Sequence, residues 1–140
     1  MKFFLDANET SVILPVLTQV YGANHTFRSA IEERLTDFDD IPLFSELRKR
    51  DFDAIITRDK NQLRNPDERS ALHREKLHWI GHVEPKVEGV EIFSTLGAGY
   101  LAAFPHVLDG IYTADGPTAF HIRGVPRLPG QRVRIRTIYP

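Results

Sequence analysis

Short apolar runs alternate along the chain with longer stretches whose apolar positions recur every three or four residues, which predicts strands and helices in succession. Lys2–Asp6 is an apolar run closed by an acid and reads as a buried strand. Thr10 or Ser11 can cap a helix to about Tyr21, with Val12, Leu14, Val16, Leu17 and Val20 apolar and Gly22 as its stop. Pro15 predicts a kink there, or a helix start near Leu14. His25–Ser29 reads as a second strand. Asp39 or Asp40 then caps a helix with Pro42 in its first turn, where the missing N–H does no harm. Leu43, Phe44 and Leu47 form its apolar stripe, and Arg48, Lys49 and Arg50 suit the negative end of the helix dipole.

Phe52–Thr57 reads as a third strand, Pro66 to about Glu75 as a helix, and Leu77–Val83 as a fourth strand. Val90–Leu108 predicts a long helix, with Gly97, Ala98, Gly99, Ala102 and Ala103 permitting close packing on a sheet. Thr118–Arg123 and Arg132–Tyr139 read as strands joined by a Pro/Gly-rich loop. The alternation predicts an α/β layered fold with a mostly parallel sheet. A length of 140 residues without repeat, linker or low-complexity stretch predicts a single domain, 1–140.

Composition narrows the chemistry. There is no cysteine, so thiol nucleophiles, disulfides and Cys-based zinc sites are excluded. Eighteen basic against nineteen acidic residues give a net charge of −1, so a nucleic-acid site must be a local basic patch. The longest apolar run, near Ile92–Leu108, is broken by Ser94, Thr95, Gly97, Gly99, Pro105 and His106, which argues against a membrane span. Asp6 cuts the first apolar run too early for a signal peptide, and a cytoplasmic location is the expectation.

Two apolar strands end in an acid: Phe3–Asp6 and Ala54–Asp59. The carboxyl ends of strands line the ligand crevice of an open parallel sheet, so Asp6 and Asp59 meet there if their strands are neighbours. Asp40 opens the helix that feeds the second of these strands, and the direction of that helix decides which edge it reaches. Gathered carboxylates repel one another, and a divalent cation, Mg²⁺ or Mn²⁺, relieves the conflict while activating water for phosphodiester displacement. Asn8 and Thr57 can orient ligands or water beside them. Each acid also has a local reading: Asp6 as a cap for the helix near Thr10, Asp40 as an N-cap, Asp59 as a turn residue.

Arg58, Lys60 and Arg64 flank Asp59 as candidate phosphate contacts or as a solvated loop, in which Asn61, Gln62 and Asn65 add hydrogen-bonding capacity. Arg132, Arg134 and Arg136 share one face of the last predicted strand, suited to gripping phosphates or to keeping an edge strand from aggregating. His78 and His82 lie on a strand and share no helical metal face, Gly97-x-Gly99 lies inside a helix, and no serine sits in a nucleophile elbow. Asp6-Ala7-Asn8 lacks the second acid of an Asp-x-Asp phosphatase, and Asp39-Asp40 begins a helix where a receiver domain has its acid pair at the first strand end.

Phe4-Leu5-Asp6-Ala7-Asn8 resembles the opening of PIN-like proteins, and Asp40-Ile41-Pro42-Leu43-Phe44 followed by the strand ending in Thr57-Arg58-Asp59 resembles the family's later motifs. Arg64–Arg69 with Leu77-His78-Trp79-Ile80 is similar to a subgroup related to VapC toxins, and order and spacing agree over nearly the whole chain. The resemblance implies a three-layer α/β/α sandwich and an endoribonuclease cleaving single-stranded RNA, with Mg²⁺ or Mn²⁺ held by Asp6, Asp40 and Asp59. It also implies a toxin–antitoxin setting, with an antitoxin partner and a homodimer. Typical members carry a fourth acid, a glutamate between the first two matched here; Glu32 and Glu33 fall in that interval outside a motif, and Glu9 follows Asn8. A catalytically degenerate PIN-like module binding RNA or protein is therefore the alternative expectation.

Overall fold

The structure, a computed structural model, describes residues 1–139. Five parallel strands, β1 (Lys2–Leu5), β2 (Thr26–Ser29), β3 (Ala54–Ile56), β4 (His78–His82) and β5 (Ala119–Ile122), form one sheet in the order β2-β1-β3-β4-β5. Helices α1 (Ile13–Tyr21) and α6 (Glu91–Thr113) pack together on one face; α3 (Asp40–Lys49) and α5 (Pro66–Arg74) pack together on the other. The fold is a three-layer α/β/α sandwich. Single helical turns α2 (Ala30–Glu33), α4 (Asn61–Arg64) and α7 (Pro129–Arg132) complete it.

Strand alternation assigns the two cores. Phe3, Leu5, Ala54, Ile56, Ile80 and Ile122 face α1 and α6, against Leu17, Tyr100 and Phe104. Phe4, Ile55 and Trp79 face α3 and α5, against Phe44, Leu47 and Leu72. Both faces are covered, which is why the central strands are continuous apolar runs.

Two helices depart from their predicted bounds. The first begins at Ile13, not Thr10 or Ser11, so Pro15 falls in its first turn and no kink is needed. The long helix runs on past Leu108 to Thr113, because Leu108 and Ile111 still pack on the sheet. Pro105 lies inside it and cannot donate to the Leu101 carbonyl one turn earlier; the Tyr21 hydroxyl donates to that carbonyl instead, at 2.9 Å.

The predicted strand Arg132–Tyr139 is absent. Pro129 starts the turn α7, and residues 133–139 pair with no strand, leaving Ile135 86% and Ile138 95% exposed. Alternation alone does not make a strand; the segment must also pair with a neighbour, and this one does not join either edge of the sheet.

Phe104 is fully buried among Phe3, Tyr21 and Phe27. Phe104→Ala is expected to cost about 3–5 kcal/mol in urea denaturation. Tyr21→Phe, which removes only the bond to Leu101, is expected to cost about 1 kcal/mol. Equal costs would contradict this division.

Candidate functional site

The chain leaves β1 through α1 to β2 on one flank, then crosses to β3 on the other. The carboxyl ends of β1 and β3 therefore flank the switch point of the sheet, the crevice where open parallel sheets bind ligands. Asp6 is the first residue past β1, and Thr57, Arg58 and Asp59 follow β3. The Asp6 N–H bonds the Ile56 carbonyl at 2.9 Å, so the ladder continues one residue and fixes the carboxylate beside Thr57.

Thr57, fully buried, donates its hydroxyl to Asp6 Oδ2 at 2.8 Å and stands 3.0 Å from Asn8 Oδ1. Asn8 Oδ1 accepts from the Arg58 N–H at 3.1 Å, and Thr57 Oγ1 accepts from the Asp59 N–H at 3.0 Å. Asn8 and Thr57 thus tie the loop after β1 to the loop after β3. Asp59 Oδ1 accepts from the Asn61 N–H at 2.9 Å, which orders the turn entering α4.

Helix α3 returns the chain to β3, so it runs against the strands and its first residue, Asp40, lies at their carboxyl edge. This resolves the direction that the sequence left open. Asp40 is not the cap; Asp39 holds that position without a side-chain bond. Gln62, fully buried on α4, donates its amide to Asp40 Oδ1 at 3.0 Å and to Asp6 Oδ2 at 3.3 Å. Burial pushes the Asp40 carboxyl up to about 6; the Gln62 bond opposes this, and the charges of Glu68, Asp59 and Asp6 add to it. The three predicted acids share one edge and act on one another.

Glu68 is the acid that the sequence did not single out. Asn65 caps α5, its side chain accepting from the N–H groups of Asp67 and Glu68, which places Glu68 in the first turn. Its Oε2 is buried without a hydrogen-bond partner, as is Gln62 Oε1. The only signal in the sequence is an acid two residues after the helix-opening Pro66, a position that the helix dipole also favours. The supposed loop of Asn61, Gln62 and Asn65 is instead the turn α4 and the cap of α5.

The three other candidate fourth acids are engaged elsewhere. Glu32 closes a capping box with Ser29, and Glu33 pairs with Arg28 and Arg50. Glu9 is buried and accepts from the Tyr100 hydroxyl at 2.7 Å and from the Thr10 N–H at 2.8 Å. Burial, reinforced by Glu9, raises the Tyr100 hydroxyl pKa.

The basic residues divide. Arg58 pairs with Glu84, whereas Lys60 and Arg64 have no ion pair among the described residues. Among the described residues no three His, Asp or Glu side chains already stand close enough together to share one ion. Comparison with protein-family models, curated proteins and solved structures found no match to the chain.

Two outcomes follow, one from the burial of Asp40 and one from its bond with Gln62. Asp40 titrates above its ordinary 3.8, so the folded state holds that proton more tightly than the unfolded chain. Its contribution to stability is full below pH 3.8 and is lost as pH rises through about 6. In metal-free urea titrations Asp40→Asn is expected to remove that fall; an unchanged pH profile would contradict it. Gln62→Leu leaves two carboxylates without their shared donor and is expected to destabilise the metal-free protein by about 2 kcal/mol.

Proposed function

We propose that the protein is a divalent-metal-dependent, PIN-like endoribonuclease acting on single-stranded RNA. The observation that carries this reading is the switch-point cluster: Asp6 and Asp40 share the Gln62 amide, with Asp59 and Glu68 close enough to raise the Asp40 pKa. The donor set is entirely oxygen, and the buried, unpartnered Gln62 Oε1 and Glu68 Oε2 fit a hard cation such as Mg²⁺ or Mn²⁺. Asp6, Asp40 and Asp59 would hold it; when bound, it supplies Lewis acidity and a lowered pKa of coordinated water.

The chain's own residues define the rest. Thr57 keeps the Asp6 carboxylate oriented through its hydroxyl, and the Asn8 bridge holds the two loops together. Gln62 tempers the repulsion between Asp6 and Asp40 when no cation is present. Lys60 and Arg64 are free to meet phosphates, whereas Arg58 must first leave Glu84. The toxin role, the antitoxin partner, the homodimer and the cytoplasmic setting are part of this proposal, supported by the resemblance of the Asp6 and Asp59 motifs; no helix among the described residues is long and apolar enough to cross a membrane.

The second reading, a non-catalytic PIN-like module binding RNA or protein, is favoured by the Gln62 amide lying between Asp6 and Asp40 and by the lack of three ready ligands among the described residues. Incubation with a mixed single-stranded RNA pool separates the two. The nuclease reading expects cleavage with Mn²⁺, loss in EDTA, and loss in Asp6→Asn and Asp59→Asn with melting temperatures preserved. RNA binding without EDTA-sensitive cleavage would instead establish the module, and collapse of the fold in Asp6→Asn would assign that acid a structural role.

A further inference from the structure

The carboxyl edge continues beyond the acids. The segments after β4 and β5, residues 83–90 and 123–128, enclose with α6 and α7 a cavity of about 540 Å³, lined among others by Glu84, Lys86, Glu91, Arg123, Arg127 and Arg132. Four cations face two acids, and one of those acids, Glu84, is already paired with Arg58. None of the four cations has a carboxylate within ion-pair distance among the described residues.

Two of these side chains are held without being neutralised. Arg127 Nη2 donates to the Lys86 carbonyl at 3.4 Å, and Arg132 Nε donates to the Pro126 carbonyl. In a chain of net charge −1, a cavity with this excess of positive charge concentrates anions. Its volume lies within the range of pockets that take small ligands, roughly 300–1,000 Å³. One ion pair links its lining to the acid cluster: Arg58, which pairs with the cavity-lining Glu84, adjoins Asp59 in the chain.

We infer that this cavity binds backbone phosphate of a single-stranded RNA lying across the carboxyl ends of β3, β4 and β5. The RNA identity rests on the nuclease reading; the phosphate chemistry rests on the cavity. Arg123, Arg127, Lys86 and Arg132 are then the main phosphate-binding groups, in place of the ion-paired Arg58. They supply affinity without base selectivity, because phosphates carry no sequence information directly.

The test uses the full chain in EDTA, so that cleavage plays no part, with a labelled single-stranded RNA and with inorganic pyrophosphate as probes. Arg123→Ala/Arg127→Ala, both at exposed positions, is expected to keep the melting temperature and to lose at least tenfold in RNA affinity. Its slope of log K against log salt should be shallower by about 0.7 for each phosphate that the variant no longer neutralises. Pyrophosphate should compete for the wild-type site and bind the variant more weakly. Wild-type affinity and slope in the variant would overturn the inference, as would absence of RNA binding by the wild type. Competition by polyglutamate but not by pyrophosphate would overturn it too, assigning the cavity to an acidic peptide. The two proposals fail separately: RNA cleavage with unaltered binding by the variant removes the cavity and keeps the nuclease, whereas cavity-dependent RNA binding without cleavage removes the nuclease and keeps the cavity.

Discussion

Parallel pairing of β1 with β3 sets Asp6 beside Thr57, and the chemistry available at the carboxyl edge depends on that juxtaposition. The register Leu5↔Ile56 and the following Asp6 N–H to Ile56 carbonyl bond leave the Asp6 carboxylate no freedom to retreat along the strand. Because the strands run parallel, the helix feeding β3 must begin at the same edge, which brings Asp40 there as well. Acids far apart in sequence thus become neighbours through topology.

Charge and burial oppose each other at this edge. Asp40 titrates near 6 because burial disfavours its charge and three other carboxylates add to that effect. The fold answers with a neutral donor, the Gln62 amide, which moderates the repulsion without cancelling the charge. A buried amide oxygen and a buried carboxylate oxygen remain without partners beside it. Such atoms are uncommon in folded proteins, and under the proposed nuclease reading an oxygen-seeking cation would give both a partner. Arg123, Arg127 and Arg132, without ion pairs among the described residues, line the adjacent cavity together with Glu84 and Glu91, while the unpaired Lys60 and Arg64 follow Asp59 in the chain.

Much of the layered fold was legible from local pattern. Phe3 and Leu5 against Phe4, and Ala54 and Ile56 against Ile55, encode a sheet covered on both faces. Acids closing Phe3–Asp6 and Ala54–Asp59 pointed to the carboxyl edge. What stayed hidden had a sufficient local explanation or lacked a local signal. Glu68 reads as a first-turn acid, and only the packing of α5 on α3 turns it toward Asp40. Gln62 reads as one polar residue in a loop, yet it is fully buried between two carboxylates. Arg132–Tyr139 alternates like a strand but finds no ladder, and the cations of residues 86 and 123–132 converge only because β4 and β5 are neighbours.

Calorimetric titration of Mn²⁺ into the metal-free protein at neutral pH measures most directly whether these carboxylates want a dication between them. Saturable binding that raises the melting temperature, weakened at least tenfold in Asp40→Asn and also in Glu68→Gln, is the expected result. Heats no larger than dilution up to millimolar Mn²⁺, with an unmoved melting temperature, would contradict it and leave the cluster steadied by hydrogen bonds such as those from the Gln62 amide and the Thr57 hydroxyl.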